Sequence, residues 1–279
     1  MSAFRSLAVA LFAASAVVCA AGCSKSNSED ALAKVKREGV LKWGADPSGG
    51  APFVFYDPAD TKKVIGFEID VMDKLAAHMG VRHEMVSCDW DALIDNLRAK
   101  RTDMVMNGIE VNDARKEQVG FTAPYYIYEQ QITVRQEDKE TYKSLNDLKG
   151  HKIATLKAAE ANNVLKQAGF PDDLICPLPD SETPYRELEL KRVDAVLQEG
   201  IIAAYYASPE RASKLYNVPA TFSPGKYAVA VRKEDTALLA EIDRALELMK
   251  RNGELAEIYK RWGIWNGRQK DVGISEKAP

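Results

Sequence analysis

Arg115 is the residue whose type and place could do the most definite chemistry. It lies in the first turn of a helix that Asn112 can cap, and its planar fork of N–H donors is shaped to grip a carboxylate at two points. Acids recur where apolar runs end: Asp46 after Val40–Ala45, Glu110 soon after residues 103–106, and Glu199 after residues 193–197. Trp90 follows a further apolar run and offers a flat wall, while Asn107, Gly108 and Ala159 bring main-chain groups to the same kind of position. A cleft joining one arginine, several carboxylates and an aromatic wall would suit a free amino acid, with its anion, cation and aliphatic stem. Three acids against one arginine tilt the side chain toward a cation or an amide.

Residue type alone also allows plainer roles: Arg115 as a solvated charge, Asp46 and Glu110 as turn or cap residues, Trp90 as core. Glu199 resists such a reading, because an acid directly behind an apolar strand is costly to bury without a partner. His78, His83 and His151 are too scattered for a metal site or an acid–base pair. No nucleophile elbow, metal motif or phosphate loop is present, so no catalytic residue, metal or cofactor is expected.

The elements that must carry these residues follow from periodicity and punctuation. A short helix over 29–38 ends at Gly39, and the strand Val40–Ala45 runs into a turn containing Gly49 and Gly50. A polar loop precedes Gly66-Phe67, which opens a helix with Phe67, Val71, Leu75 and Met79 inward, closed by Gly80. A strand over 81–86, a helix that Asp89 can cap and a strand over 103–106 complete a βαβαβ order. Beyond Pro124 an aromatic-rich strand over 125–135 leads to a second alternating region, with strands at 153–156, 175–178 and 193–197 and helices over 158–168, 183–191 and 201–207. A strand over 227–231 returns, Asp235 caps a long helix through Met249, and a last short helix runs to Trp262. Such alternation is the pattern of an α/β protein with mostly parallel sheets flanked by helices, whose ligands bind outside the carboxyl ends of the strands. Crossings near 127–129 and 222–226 are expected to join two lobes.

The net charge of −3, from 38 basic and 41 acidic side chains, is too balanced to argue for nucleic acid. At the start, Arg5 precedes an apolar run over 7–18, an export signal too short for a comfortable membrane span. It ends in Ala20-Ala21-Gly22-Cys23, which resembles a bacterial lipobox. Residues 1–22 are therefore expected to be a lipoprotein signal peptide, Cys23 the lipidated first mature residue, and 23–28 a tether. Cys88 and Cys176 lie in or beside apolar stretches and are expected to stay as thiols.

A family resemblance is carried by Gly66-Phe67-Glu68-Ile69-Asp70-Val71, by Trp90-Asp91-Ala92-Leu93-Ile94, by Asp103 with Asn107-Gly108-Ile109 and Arg115, by Phe121-Thr122-Ala123-Pro124-Tyr125-Tyr126, and by Val193-Asp194-Ala195-Val196-Leu197 with its following acid. In that order they resemble the polar amino-acid solute-binding proteins of ABC importers. The resemblance implies a two-lobed fold like the type II periplasmic binding proteins, with lobe 1 from 29–127 and 225–279 and lobe 2 from 128–224. It implies an exported monomer, anchored to a bacterial membrane at the periplasm or cell surface, that serves a permease and its ATPase and catalyses nothing. By position, Arg115 would bind the ligand carboxylate, Glu199 the ammonium, Trp90 the side chain and Asp46 its polar end, with main chain around Asn107, Gly108 and Glu110 completing the set. Departures are visible: Glu110 replaces the usual Ser or Thr, Ala158-Ala159 replaces a glycine with a hydroxyl residue, Gly49-Gly50 replaces an aromatic and leaves the far wall more open, and Glu199 replaces Asp. Rivals on the same fold are a cyclohexadienyl-dehydratase-like lyase and a sensor module for a membrane receptor.

Overall fold

The structure, a computed structural model, describes residues 30–208 and 214–276, so the signal segment, Cys23 and the tether lie outside the described residues. In chain order, α1 (Ala31–Glu38) is followed by β1 (Val40–Ala45), a hairpin of β2 (Phe55–Asp57) and β3 (Asp60–Ile65), α2 (Phe67–Met79), β4 (Arg82–Ser87), α3 (Leu93–Arg98), β5 (Met104–Val105), α4 (Asp113–Lys116) and β6 (Gly120–Phe121). Next come β7 (Tyr126–Arg135), β8 (Ile153–Leu156), α5 (Glu160–Gln167), β9 (Ile175–Leu178), α6 (Thr183–Glu189), β10 (Ala195–Glu199), α7 (Gly200–Tyr206) and β11 (Leu215–Tyr227). The chain closes with β12 (Ala230–Val231), α8 (Thr236–Arg251), α9 (Glu254–Arg261) and a 3-10 segment, Gly267–Val272.

These strands form two five-stranded sheets, ordered β4-β1-β5-β12-β6 and β11-β7-β10-β8-β9. In each, the strands of the alternating region run parallel, and the strands that cross or return add antiparallel pairs. The crossings are β7 and β11, which lie side by side with Tyr126 opposite Tyr227 and Ile127 opposite Lys226. Gly225 must be glycine here, since a Cβ would fall 2.1 Å from the Tyr128 ring. The rings of Tyr128 and Tyr227 stack at 4.5 Å, so the aromatic run packs the crossing.

Local signals explain the helices nearest the site. The Asp30 carboxylate accepts from the Leu32 and Ala33 N–H groups, and Gly39 closes α1 in the left-handed region. Helix α2 buries Phe67, Val71, Met72, Leu75 and Met79 in the core of the first lobe, each burial stabilising by about 1.5–3 kcal/mol. A second core, including Ile132, Val134, Leu165 and Leu197, sits in the other lobe.

Four expectations need correction. The loop before Gly66 contains the β2–β3 hairpin, whose Asp60 to Lys63 residues are polar and exposed and so show no alternation. The return strand begins at Leu215, twelve residues before the expected start at 227, because Pro219 and Ser223-Pro224-Gly225 disguise it; it tolerates them through two register shifts. Neither Asp89 nor Asp235 caps a helix with its side chain; the Asp235 carboxylate pairs with Arg232 instead. Cys88 and Cys176 are free thiols, and among the described residues no helix is long and apolar enough to cross a membrane.

Candidate functional site

Between the sheets, at the carboxyl ends of β1, β5 and β10, the two lobes enclose a cavity of about 20 Å³, room for roughly one water. Phe53, Trp90, Glu110, Glu199 and Tyr227 line it, together with the main chain at Asn107 and Gly108. The lobes meet around it. Ser181 N donates to Gly49 O at 2.9 Å, Ala51 N to the Tyr206 hydroxyl at 3.0 Å, and Lys157 pairs with Asp91 at 2.6 Å. Gly49-Gly50 does not leave the wall open, as its lack of side chains suggested: Tyr206 fills that space, and a Cβ on Gly50 would lie 2.5 Å from its hydroxyl.

The first lobe's wall is set by a chain of hydrogen bonds. Both Asp46 carboxylate oxygens are engaged, one accepting from Ser48 N at 2.8 Å and the other from Trp90 N at 2.9 Å. Burial raises its pKa while those N–H groups oppose the shift. Asp46 N donates to Asn107 Oδ1, and the Trp90 indole N–H donates to Asn107 O at 3.0 Å. Asp46 thus stands behind Trp90 and does not line the cavity. Glu68, which the sequence offered only as part of a motif, proves central. It is fully buried, accepts from Gly108 N at 2.9 Å and from the Tyr125 hydroxyl, and burial pushes its pKa up to about 7. The glycine before α2 permits this approach, since a Cβ on Gly66 would sit 1.9 Å from Phe53 O. An acid hidden on the inner face of a helix has no distinguishing local pattern.

Glu110 and Arg115 join the lobes. The Asn112 side chain accepts from Arg115 N and caps α4, the role its sequence position suggested. The Arg115 guanidinium lies 5.0 Å from the Trp90 ring centroid and donates to both the Glu110 carboxylate and Glu110 O. It also reaches across to Ala158 O at 3.3 Å. The other Glu110 oxygen accepts from Glu160 N, at the start of α5, at 2.9 Å. Ala159, the residue before α5, caps nothing with its side chain, and Ala158 adopts a left-handed φ of 60°. Glu199 is buried beside this pair. Burial first, then the charge and hydrogen bond of Glu110, push its carboxyl well above the ordinary range, and Arg115 opposes the shift. The Tyr227 hydroxyl, also buried at the cavity, has no hydrogen-bond partner among the described residues.

The structure therefore gathers Trp90, Asn107, Gly108, Glu110 and Glu199 on the cavity and places Arg115, Ala159 and Asp46 immediately behind it. Among the described residues no cluster of His, Cys, Asp and Glu could hold a metal. Phe53 and Tyr227 were not foreseen; their apolar bulk resembled core.

Residues 41–264 match the family described as bacterial extracellular solute-binding proteins, family 3. The chain is 31% identical over 255 residues to the L-cystine-binding protein TcyJ of Escherichia coli strain K12, covering 91% of this chain and 94% of that protein. Among solved structures it is similar to the arginine-, lysine-, histidine-binding protein ArtJ from Geobacillus stearothermophilus, with TM-score 0.75, 27% identity, and 83% and 98% of the two chains covered. It is equally similar to the ancestral amino acid-binding protein AncCDT-1, a precursor of cyclohexadienyl dehydratase, with TM-score 0.75, 29% identity, and 83% and 98% covered. The fold is that of the type II periplasmic binding proteins, and the chain belongs to this solute-binding family.

Proposed function

From that membership and the geometry of the cleft, we propose that this chain is the solute-capturing component of an ABC amino-acid importer, closing its lobes on one small polar or cationic ligand of the amino-acid class. The observation that carries the reading is the convergence of Glu199, Trp90 and the Gly108 main chain on one small cavity lined by both lobes. Glu199 receives the ligand's charged nitrogen, Trp90 and Phe53 form the wall, and the main chain around Asn107 and Gly108 fixes its orientation. Asp46 and Glu68 hold that wall in place, and a ligand carboxylate reaches Arg115 only by displacing Glu110. Residues 29–127 with 225–279 and residues 128–224 move as the two lobes, rotating at 127–129 and 222–226. The chain is exported as a lipoprotein, cut before Cys23 and held at a bacterial membrane. It works as a monomer that delivers ligand to a permease and its ATPase, and it turns nothing over.

The test is thermal unfolding of the exported, ligand-stripped protein against amino acids and small amines. A ligand at about 100-fold its Kd adds roughly 2.7 kcal/mol, a rise of a few degrees in Tm. A Tm unmoved by every such compound contradicts the reading. One observation favours a second reading: burial and the neighbouring Glu110 push the Glu199 carboxyl upward, and a carboxyl shifted in that direction is suited to act as a general acid. A lyase of the dehydratase kind would consume prephenate or arogenate, and loss of that substrate on incubation with the protein identifies it.

A further inference from the structure

The donors of the cleft that could hold an anion are already occupied, and the occupant belongs to the chain itself. Arg115 gives Nη1 to the Glu110 carboxylate and Nη2 to Ala158 O, and the N–H that opens α5 at Glu160 is donated to the other Glu110 oxygen. Glu110 is held in this place by its backbone as well, since Glu110 O accepts from the same guanidinium and Val111 N donates to Lys226 O. The Glu110 side chain is 2% exposed and the Arg115 side chain 13%, so the two form a largely buried pair that an incoming carboxylate would have to break to reach Nη1. Ala158 and Ala159 have no hydroxyl to offer in compensation.

Of the residues that line the cavity, none is a cation and two are glutamates. With Glu110 committed to Arg115, Glu199 is the remaining carboxyl that faces a ligand, and a bound cation would favour its ionised form; beside it the buried Tyr227 hydroxyl, without a partner among the described residues, can accept from an N–H donor. A carboxylate entering this space would be a third acid crowded against Glu110 and Glu199, with Arg115 Nη1 already taken. An ammonium or guanidinium would find an acid, a hydroxyl and aromatic walls at Phe53 and Trp90.

Resting on the solute-capture reading, we propose that Glu110 is the residue that determines specificity: its tethered carboxylate takes the anion-binding donors, so the chain selects small primary-amine or guanidino cations that lack a free carboxylate over the corresponding amino acids. The selection is a property of one side chain. A shorter neutral residue at 110 frees Arg115 and the α5 N–H for a ligand carboxylate and restores ordinary amino-acid binding.

Calorimetric titration of the exported, ligand-stripped protein with matched pairs tests this: L-arginine and agmatine, L-lysine and cadaverine, L-ornithine and putrescine, L-histidine and histamine. In the wild type at least one amine is expected to bind ten or more times tighter than its amino acid, and Glu110→Thr is expected to reverse that order. Glu110→Gln, which keeps the shape and removes the charge, is expected to narrow the preference, and it serves if the threonine variant does not fold. An amino acid that binds the wild type more tightly than its amine overturns the proposal and leaves the solute-capture reading standing. Silence of all eight compounds overturns the proposal, and the Tm response to the full set of amino acids and small amines then decides the solute-capture reading.

Discussion

The two walls of the cleft differ in how their polar groups are used. On the first lobe the Asp46 carboxylate, the Asn107 carbonyls and one Glu68 oxygen are each engaged in holding the main chain at Trp90 and Gly108. Behind the second lobe's wall the Gln130 amide, buried in β7 opposite Glu199 in β10, has neither its nitrogen nor its oxygen partnered among the described residues, and Gln198 Oε1 is buried without one as well. The first wall is thus fixed by hydrogen bonds throughout, while the second is fixed at Leu156 and Ala159 by the Asn162 amide and leaves buried polar atoms unpartnered behind it. This asymmetry assigns ligand orientation to the first lobe and leaves Glu199 as the second lobe's charged contribution.

The comparison can be broken most severely at Gly66. Gly66→Ala drives a Cβ into the Phe53 carbonyl at a φ of 148°, and a loss of about 4 kcal/mol is expected in urea unfolding. An unchanged midpoint would mean that the α2 start does not position the wall. Glu68 supplies the next largest effect. Its pKa is raised from an ordinary 4.5 to about 7, so the folded state holds a proton that the unfolded chain releases. The Glu68 contribution is therefore full below about pH 4.5 and is lost as pH rises to 7, on the order of 3 kcal/mol. Unfolding of Glu68→Gln across that window should show a flatter pH dependence; an identical slope to wild type refutes the assignment. Asp46→Ala strands the Ser48 and Trp90 N–H groups, and a loss of about 2 kcal/mol with weakened ligand binding is expected in paired unfolding and titration experiments.

On the second wall the effects should be small and of opposite sign. Gln130→Met removes an unpartnered amide from a buried site, and unfolding should place it within about 1 kcal/mol of wild type. Ala158→Gly relieves a left-handed φ of 60° and should stabilise by up to about 1 kcal/mol, read from the shift in Tm. Large losses at both positions would erase the contrast between the walls.

How much was legible in the sequence depended on whether a residue's task leaves a local mark. Strands β1, β8 and β9 lie where their apolar runs place them, and α2 ends at Gly80, because burial and a left-handed cap impose residue types that periodicity can read. Arg115 was found because Asn112 marks the start of its helix. Glu68 was not singled out for a role of its own, because a buried acid in a helix differs from an exposed one only through its tertiary partners. Gln269 escaped for the same reason. From the 3-10 segment near the C-terminus it accepts from Ile127 N and donates to Ile127 O, both at 2.9 Å, and so acts as a surrogate strand on the crossing. The Glu110 substitution was visible in sequence, but its consequence was not, since only the fold brings Arg115 and the start of α5 to the same carboxylate.

The most direct measurement of the central claim, that the interlobe cleft captures a ligand by its charged nitrogen, is the Kd of Glu199→Ala for whichever compound raises the wild-type Tm. The account expects an affinity loss of roughly a hundredfold or more in a protein whose fold is intact by circular dichroism. An unchanged Kd in that folded variant would contradict it.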